Sequence, residues 1–179
     1  MLAVMAAAYF LLIGGFVQIN LIPYGMEMLD ISQQESAYLF LIAALGIGLG
    51  AWGVGRISGS AIKLGFVPFG ALGVVTGAAG LAFMHAELWW VCVWTFVLGV
   101  SAGFYIVPLE AFIQHRAPEQ RRGEILAAKG FLAWIGVLLA AGLLYLFAEI
   151  LGLTPAQGFG VMALMTLLLT LGVMVPFRK

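Results

Sequence analysis

Residues 2–24 read LAVMAAAYFLLIGGFVQINLIPY and contain no Asp, Glu, Lys or Arg. A helix of this length rises about 35 Å, because each residue adds ~1.5 Å, and the hydrocarbon core of a bilayer is about 30 Å thick. The segment therefore predicts a membrane-spanning helix. A cleavable signal peptide would have a basic start and a small-residue cleavage site before a polar chain, and this segment has neither.

The composition of the whole chain gives the same result. Hydrophobic residues make up 64% of the 179 residues and charged residues only 9%, against the ~25% of an ordinary soluble protein. The mean hydropathy is +1.12. The apolar runs are long and uncharged, whereas barrel strands would be short and alternating. We therefore expect an all-α membrane protein. The single cysteine, Cys92, excludes an intrachain disulfide.

Six apolar segments are long enough to cross the bilayer. Short connections between them make neighbouring helices antiparallel. We expect one six-helix transmembrane domain over residues 1–179. The expected spans are about 2–24, 36–55, 64–85, 88–112, 125–147 and 155–177.

The basic residues predict the orientation of these spans. With six spans, every Lys and Arg falls at the second connection, the fourth connection or the C-terminus, which share one side of the membrane: Arg56, Lys63, Arg116, Arg121, Arg122, Lys129, Arg178 and Lys179. The other connections carry only acidic charge: Glu27, Asp30, Glu35, Glu87 and Glu149. Since an excess of Lys and Arg marks the cytoplasmic side, both termini are expected to be cytoplasmic.

Three spans carry glycines four residues apart. Glycine lets helix backbones approach closely in a membrane. The pairs predict tight helix packing or, alternatively, faces along which helices slide. They are Gly46 and Gly50, Gly73 and Gly77, and Gly99 and Gly103.

The first span contains the polar residues Gln18 and Asn20, followed by Pro23. Pro23 cannot donate to a carbonyl one turn earlier, so we expect a kink or break in the helix. Gln18 and Asn20 lie about 200° apart around a regular helix, so both can face one cavity only if the helix unwinds. Together with Pro23 they are candidates for a substrate cavity at a discontinuous helix; alternatively, the two polar residues form hydrogen bonds between helices.

Glu110 lies near the cytoplasmic end of the fourth span, where an unpaired carboxylate would be costly. Arg56, Arg122 and Lys129 are the candidate partners. The pair could be purely structural, or it could act as a gate latch that forms in one conformation and breaks in another. Proton coupling is the third alternative.

The chain carries no phosphate-binding loop and no zinc-ligand spacing, and its SGS stretch at 58–60 has no base in a recognisable relation to it. We expect no catalytic residue, no metal, no cofactor and no nucleic-acid partner. The protein is not expected to be an enzyme.

The stretch EAFIQHRAPEQRRG at 110–123 resembles a loop motif of the major facilitator superfamily, in which an acid ends a helix and a proline and an Arg-Gly pair follow. The resemblance implies half of a facilitator fold, a 3+3 inverted repeat, with a cytoplasmic charge network that includes Glu110 and Arg122. The second connection, GRISGSAIKLG at 55–65, departs from the family's other loop motif, because Arg56 stands where the motif has its acid. We therefore expect Arg56 or Arg122 to pair with Glu110.

A closer resemblance covers nearly the whole chain. The stretches GGFVQINLIPYG, LIAALGIGLG, LGFVPFGALG and GFYIVPLEAFIQHRAP are similar to helices seven to eleven of bacterial lysophospholipid transporters, including those fused to an acyl-ACP–phospholipid acyltransferase. This implies movement of lysophospholipid across a bacterial inner membrane by alternating access.

Six helices are half of what that family uses. The resemblance therefore implies an N-terminal six-helix half as partner, in the same longer chain, in a separate chain or as a second copy of this one. A piece of a longer chain is the favoured expectation. The main alternative is a six-helix scaffold or assembly module without transport activity. A membrane acyltransferase would need a soluble catalytic domain that these residues do not contain.

Overall fold

The computed structural model describes residues 2–58 and 64–174, with side chains described for 4–58 and 64–172. These residues form helices and no strand. A 3-10 turn, Glu119–Arg121, precedes the fifth helix, and a π-helical segment, Leu146–Ile150, extends it. The helices are α1 (Leu2–Met28), α2 (Gln33–Ser58), α3 (Phe66–Phe83), α4 (Leu88–Arg116), α5 (Arg122–Tyr145) and α6 (Pro155–Met174).

All six helices are long and apolar enough to cross a membrane, which confirms the predicted number of spans. The chain is an all-helical, multi-pass membrane protein. The first and fourth helices each continue four residues beyond the predicted ends at 24 and 112. Lys63, Arg178 and Lys179 lie outside the described residues, as do positions 59–61 of the second connection.

The described basic residues all lie at one end of the bundle. We call it the basic end: the end where α2 and α4 finish and α3 and α5 begin. The opposite end carries no Lys or Arg within residues 2–58 and 64–174. The residues at the basic end are Arg56, Arg116, Arg121, Arg122 and Lys129.

Two turns at the opposite end are formed by local side-chain bonds. The Glu35 carboxylate accepts hydrogen bonds from the backbone N–H and the hydroxyl of Ser32, at 2.9 and 2.8 Å. Before α6, the Thr154 backbone N–H donates to the Gln157 side chain at 2.9 Å. Both are capping boxes, which satisfy backbone N–H groups that the first turn of a helix leaves unpaired.

Glycines bring α2 and α4 into backbone contact. A methyl group at Gly46 would lie 2.7 Å from the carbonyl O of Phe96, and one at Gly103 would lie 2.6 Å from the backbone N of Ala51. A methyl group at Gly50 would overlap the carbonyl O of Val100. Gly99 faces Gly46 across the same contact, so no side chain larger than hydrogen fits at this crossing.

The glycines of α3 face side chains of α4 instead. A methyl group at Gly77 would lie 2.8 Å from the Cβ of Leu98, and Gly73 packs against Ser101. All six glycines singled out in the sequence therefore lie at helix contacts of α4.

An aromatic cluster joins α1, α6 and the π-helical segment in the half of the bundle away from the basic end. Phe16 packs edge-to-face against Phe147 and Phe159, with ring centroids 5.9 and 6.0 Å apart. Tyr24 packs against Phe159 at 5.4 Å, and its hydroxyl donates to the carbonyl O of Leu81 at 2.7 Å. Because a buried hydroxyl must be paired, this bond ties α1 to α3.

The packing of the helices places α1 and α4 at the centre. α4 packs against α2 and α3, and α1 packs against α5, with smaller contacts to α2, α4 and α6. α3 also packs against α6. As a result α5 has one main neighbour, and most of its surface faces outward.

Candidate functional site

Gln18 lies on an exposed face of α1. A methyl group added at Gly14, one turn away, would meet no atom within 4 Å, and Leu11 and Ile22 on the same face are only partly buried. Within the described residues, this face of the central helix α1 is therefore not covered by another helix. An exposed amide near the middle of a span can donate hydrogen bonds to a group outside the bundle and accept hydrogen bonds from it.

Asn20 points the opposite way and is buried, with 1% of its surface exposed. Its Nδ2 donates to the carbonyl O of Pro155, at 2.9 Å, and so joins α1 to the start of α6. Its Oδ1 is buried and has no hydrogen-bond partner among the residues that the structure describes. The structure thus separates the two polar residues: Gln18 faces outward, and Asn20 bonds one helix to another.

Pro23 does not break α1. The helix runs from Leu2 to Met28 with Pro23 inside it, so the expected discontinuity at this proline is wrong. The proline removes a single backbone hydrogen bond, and the helix continues through it. The next residue, Tyr24, is buried in the aromatic cluster and bonded to Leu81.

Glu110 forms an ion pair with Lys129, between its Oε2 and the lysine Nζ. The pair joins the last turns of α4 to the first turns of α5. It is partly shielded, with 18% of the Lys129 side chain and 27% of the Glu110 side chain exposed. A carboxylate in this position needs a cation because desolvation penalises an isolated charge.

The expectation that Arg56 or Arg122 would pair with Glu110 is therefore wrong in this conformation. The Arg56 guanidinium lies over the ring of Trp52, at 5.6 Å from its centroid. Arg122 is exposed and forms no ion pair with any described carboxylate. Lys129 reaches Glu110 because it lies two turns inside α5, level with the partly buried end of α4.

A shallow, open depression of about 530 Å³ lies beside this pair at the basic end. Its lining mixes three polar side chains with two apolar ones. They are Ala111, Gln114 and His115 from α4, and Arg122 and Leu126 from α5.

Besides the Tyr24–Leu81 bond, two further polar contacts between helices were not singled out from the sequence. The hydroxyls of Tyr9 and Thr166 lie 3.0 Å apart and join α1 to α6. The Tyr105 hydroxyl donates to the carbonyl O of Ala6 at 3.2 Å, and its ring stacks on Phe10. Tyrosine is enriched at membrane interfaces and its hydroxyl is usually paired when buried, so the position of these tyrosines inside the apolar runs was the signal that could have indicated the bonds.

No group of three or more His, Cys, Asp or Glu side chains capable of holding a metal occurs among the described residues. His85 lies in the connection between α3 and α4, and His115 lies in the last turn of α4, at the opposite end of the bundle.

Comparison with known proteins gives no match to a family model, to a curated protein or to a solved structure.

Proposed function

We propose that this chain is the C-terminal six-helix half of a major facilitator transporter. The observation that carries the proposal is the pattern of helix contacts. The contacts can be compared after exchanging α1 with α4, α2 with α5 and α3 with α6. Under this exchange the α2–α4 contact corresponds to the α1–α5 contact, and the α3–α4 contact corresponds to the α1–α6 contact. The α3–α6 and α1–α4 contacts map onto themselves. Helices three apart run in opposite directions, so these matching contacts support a 3+3 inverted repeat. The α1–α2 contact has no α4–α5 counterpart of similar extent among the described residues.

The proposal places the basic end in the cytoplasm. Lys and Arg near span ends are retained on the cytoplasmic side, and all described Lys and Arg lie at that end. Both termini would then be cytoplasmic. Glu110 and Lys129, at the same end, would form the latch that holds α4 to α5 in one state of the transport cycle and releases them in another.

The substrate class in this proposal is lysophospholipid, moved across a bacterial inner membrane. Gln18 supports it, because an exposed amide on a central helix provides a donor and an acceptor for a lipid headgroup. Apolar helix faces on either side would hold the acyl chain without a desolvation penalty. The partner is a second six-helix unit that covers the open face of α1.

Replacing Gln18 with Ala tests the cavity. We expect lysophospholipid flipping by the assembled transporter, reconstituted in vesicles, to fall about tenfold, because a headgroup hydrogen bond is lost. Thermal stability should be unchanged, since Gln18 is exposed. Gln120→Ala is the matched control, because it makes the same change at an exposed residue of the α4–α5 connection.

A six-helix scaffold is the second candidate, favoured by the backbone-tight contact of α2 with α4. It predicts a different result for the same variant. A scaffold should bind its partner unit equally well with Gln18→Ala, and no flipping above that of empty vesicles should be seen with either form. Normal flipping by the Gln18→Ala protein would contradict the cavity assignment.

A further inference from the structure

The depression at the basic end combines three hydrogen-bond donors with two apolar side chains. The guanidinium of Arg122, the imidazole of His115 and the amide of Gln114 are the donors, and Ala111 and Leu126 supply the apolar surface. This combination suits a ligand with an anionic group and an attached apolar part.

The charge at the depression is not neutralised by the carboxylates around it. Glu110 is paired with Lys129, and Glu124 is bound by the arginine three residues before it. Glu119, in the 3-10 turn, is exposed and does not line the depression. Arg122 therefore presents its positive charge to whatever enters.

The length of α4 and the polarity of its last turn support a position of the depression near the lipid headgroups. Its 29 residues extend over about 43 Å, whereas the hydrocarbon core is only about 30 Å thick. Polar and charged side chains such as those at 114–122 are costly in hydrocarbon, so we take the last turn of α4, with Gln114 and His115, as the part that extends beyond it, and Arg122 begins α5 beside that turn.

We propose that this depression binds the phosphate of a phospholipid headgroup. The planar guanidinium of Arg122 makes two parallel hydrogen bonds to phosphate oxygens, as Arg does with phosphate in general. His115 and Gln114 donate to the remaining oxygens, and Leu126 contacts the first part of an acyl chain. The site is separate from the open face of α1 and needs no transport step, so it stands whether or not the proposed function is correct.

The test is a lipid titration of the full-length protein in an uncharged detergent, followed by thermal unfolding and by native mass spectrometry. A ligand that binds only the folded state raises the unfolding temperature. We expect phosphatidylglycerol to stabilise the unaltered protein and Arg116→Gln equally, since Arg116 stacks over Phe112 and does not line the depression. Arg122→Gln should lose at least about tenfold in apparent affinity, and Arg122→Lys less, because it keeps the charge but loses the planar fork.

Two further ligands show which part of the lipid the site recognises. Diacylglycerol with the same acyl chains lacks the phosphate and should not stabilise the protein in an Arg122-dependent way. Inorganic phosphate at the same concentration should have no effect, because it lacks the apolar part. Equal stabilisation by inorganic phosphate would assign the site to a soluble phosphate compound and overturn the lipid assignment. Equal responses of the unaltered protein and Arg122→Gln to phosphatidylglycerol would overturn the site itself.

Discussion

Replacing Gly50 with Ala should lower the free energy of unfolding by about 2 kcal/mol, because overpacking a tight contact costs ~1–3 kcal/mol. The added methyl group would overlap the backbone carbonyl of Val100, which cannot move aside as a flexible side chain does. α2 and α4 would have to separate along their whole contact. Since α4 also packs against α3, the separation would disturb the centre of the bundle. Thermal or denaturant unfolding in detergent measures the effect.

Gly48 is the matched control on the same helix. A methyl group at Gly48 would meet no atom within 4 Å, and Ala favours a helix over Gly by up to ~1 kcal/mol. Gly48→Ala should therefore be neutral or stabilising. If the two variants unfold at the same temperature, the close approach of α2 and α4 does not exist as described.

Breaking the ion pair at the basic end should produce the second large effect. Lys129→Met leaves the partly buried Glu110 carboxylate without a cation, which we expect to cost about 2 kcal/mol. The exposed fractions of 18% and 27% place the pair between a buried and a surface ion pair. The double variant Glu110→Gln with Lys129→Met should recover most of the loss, because no charge is then left unpaired. A double-mutant cycle on unfolding free energies isolates this coupling.

The exposed pair Arg121–Glu124 provides the comparison. Its side chains are 72% and 68% exposed, and surface pairs contribute less than about 1 kcal/mol. The same cycle at this pair should give a coupling close to zero. Equal couplings at the two pairs would mean that Glu110–Lys129 is only a solvated contact.

If the pair is a latch, Glu110→Gln should also change the balance of open states, measured by accessibility labelling and by transport. A variant unchanged in both measurements would contradict the latch.

The number of spans could be predicted from the sequence because it depends on two robust quantities. The length of each apolar run must match the thickness of the bilayer, and the structure has a helix for each of the six runs. The glycine contacts of α4 could be anticipated for a similar reason, since small residues repeated every four positions form one face of a helix.

The details at the site could not be predicted because they depend on three-dimensional packing. Pro23 was expected to kink or break α1, and the helix is not broken there; the residue after it, Tyr24, packs in the aromatic cluster. Lys129 was one of three candidate partners of Glu110 from the sequence, and the structure pairs them. Choosing it over Arg56 and Arg122 required knowing how deeply α5 lies beside α4, which no sequence spacing gives. The opposite orientations of Gln18 and Asn20 did follow from helix geometry, but the binding of Asn20 to Pro155 required the position of α6.

The central claim is that these six helices are half of a twelve-helix transporter. The measurement that tests it most directly is the native mass of the protein extracted from its own membrane, with lipids removed by gentle activation. We predict an assembly of at least about twice 19.1 kDa, as one longer chain, as two different chains or as a pair of copies. A single species at 19.1 kDa, folded and without a partner, would contradict the claim.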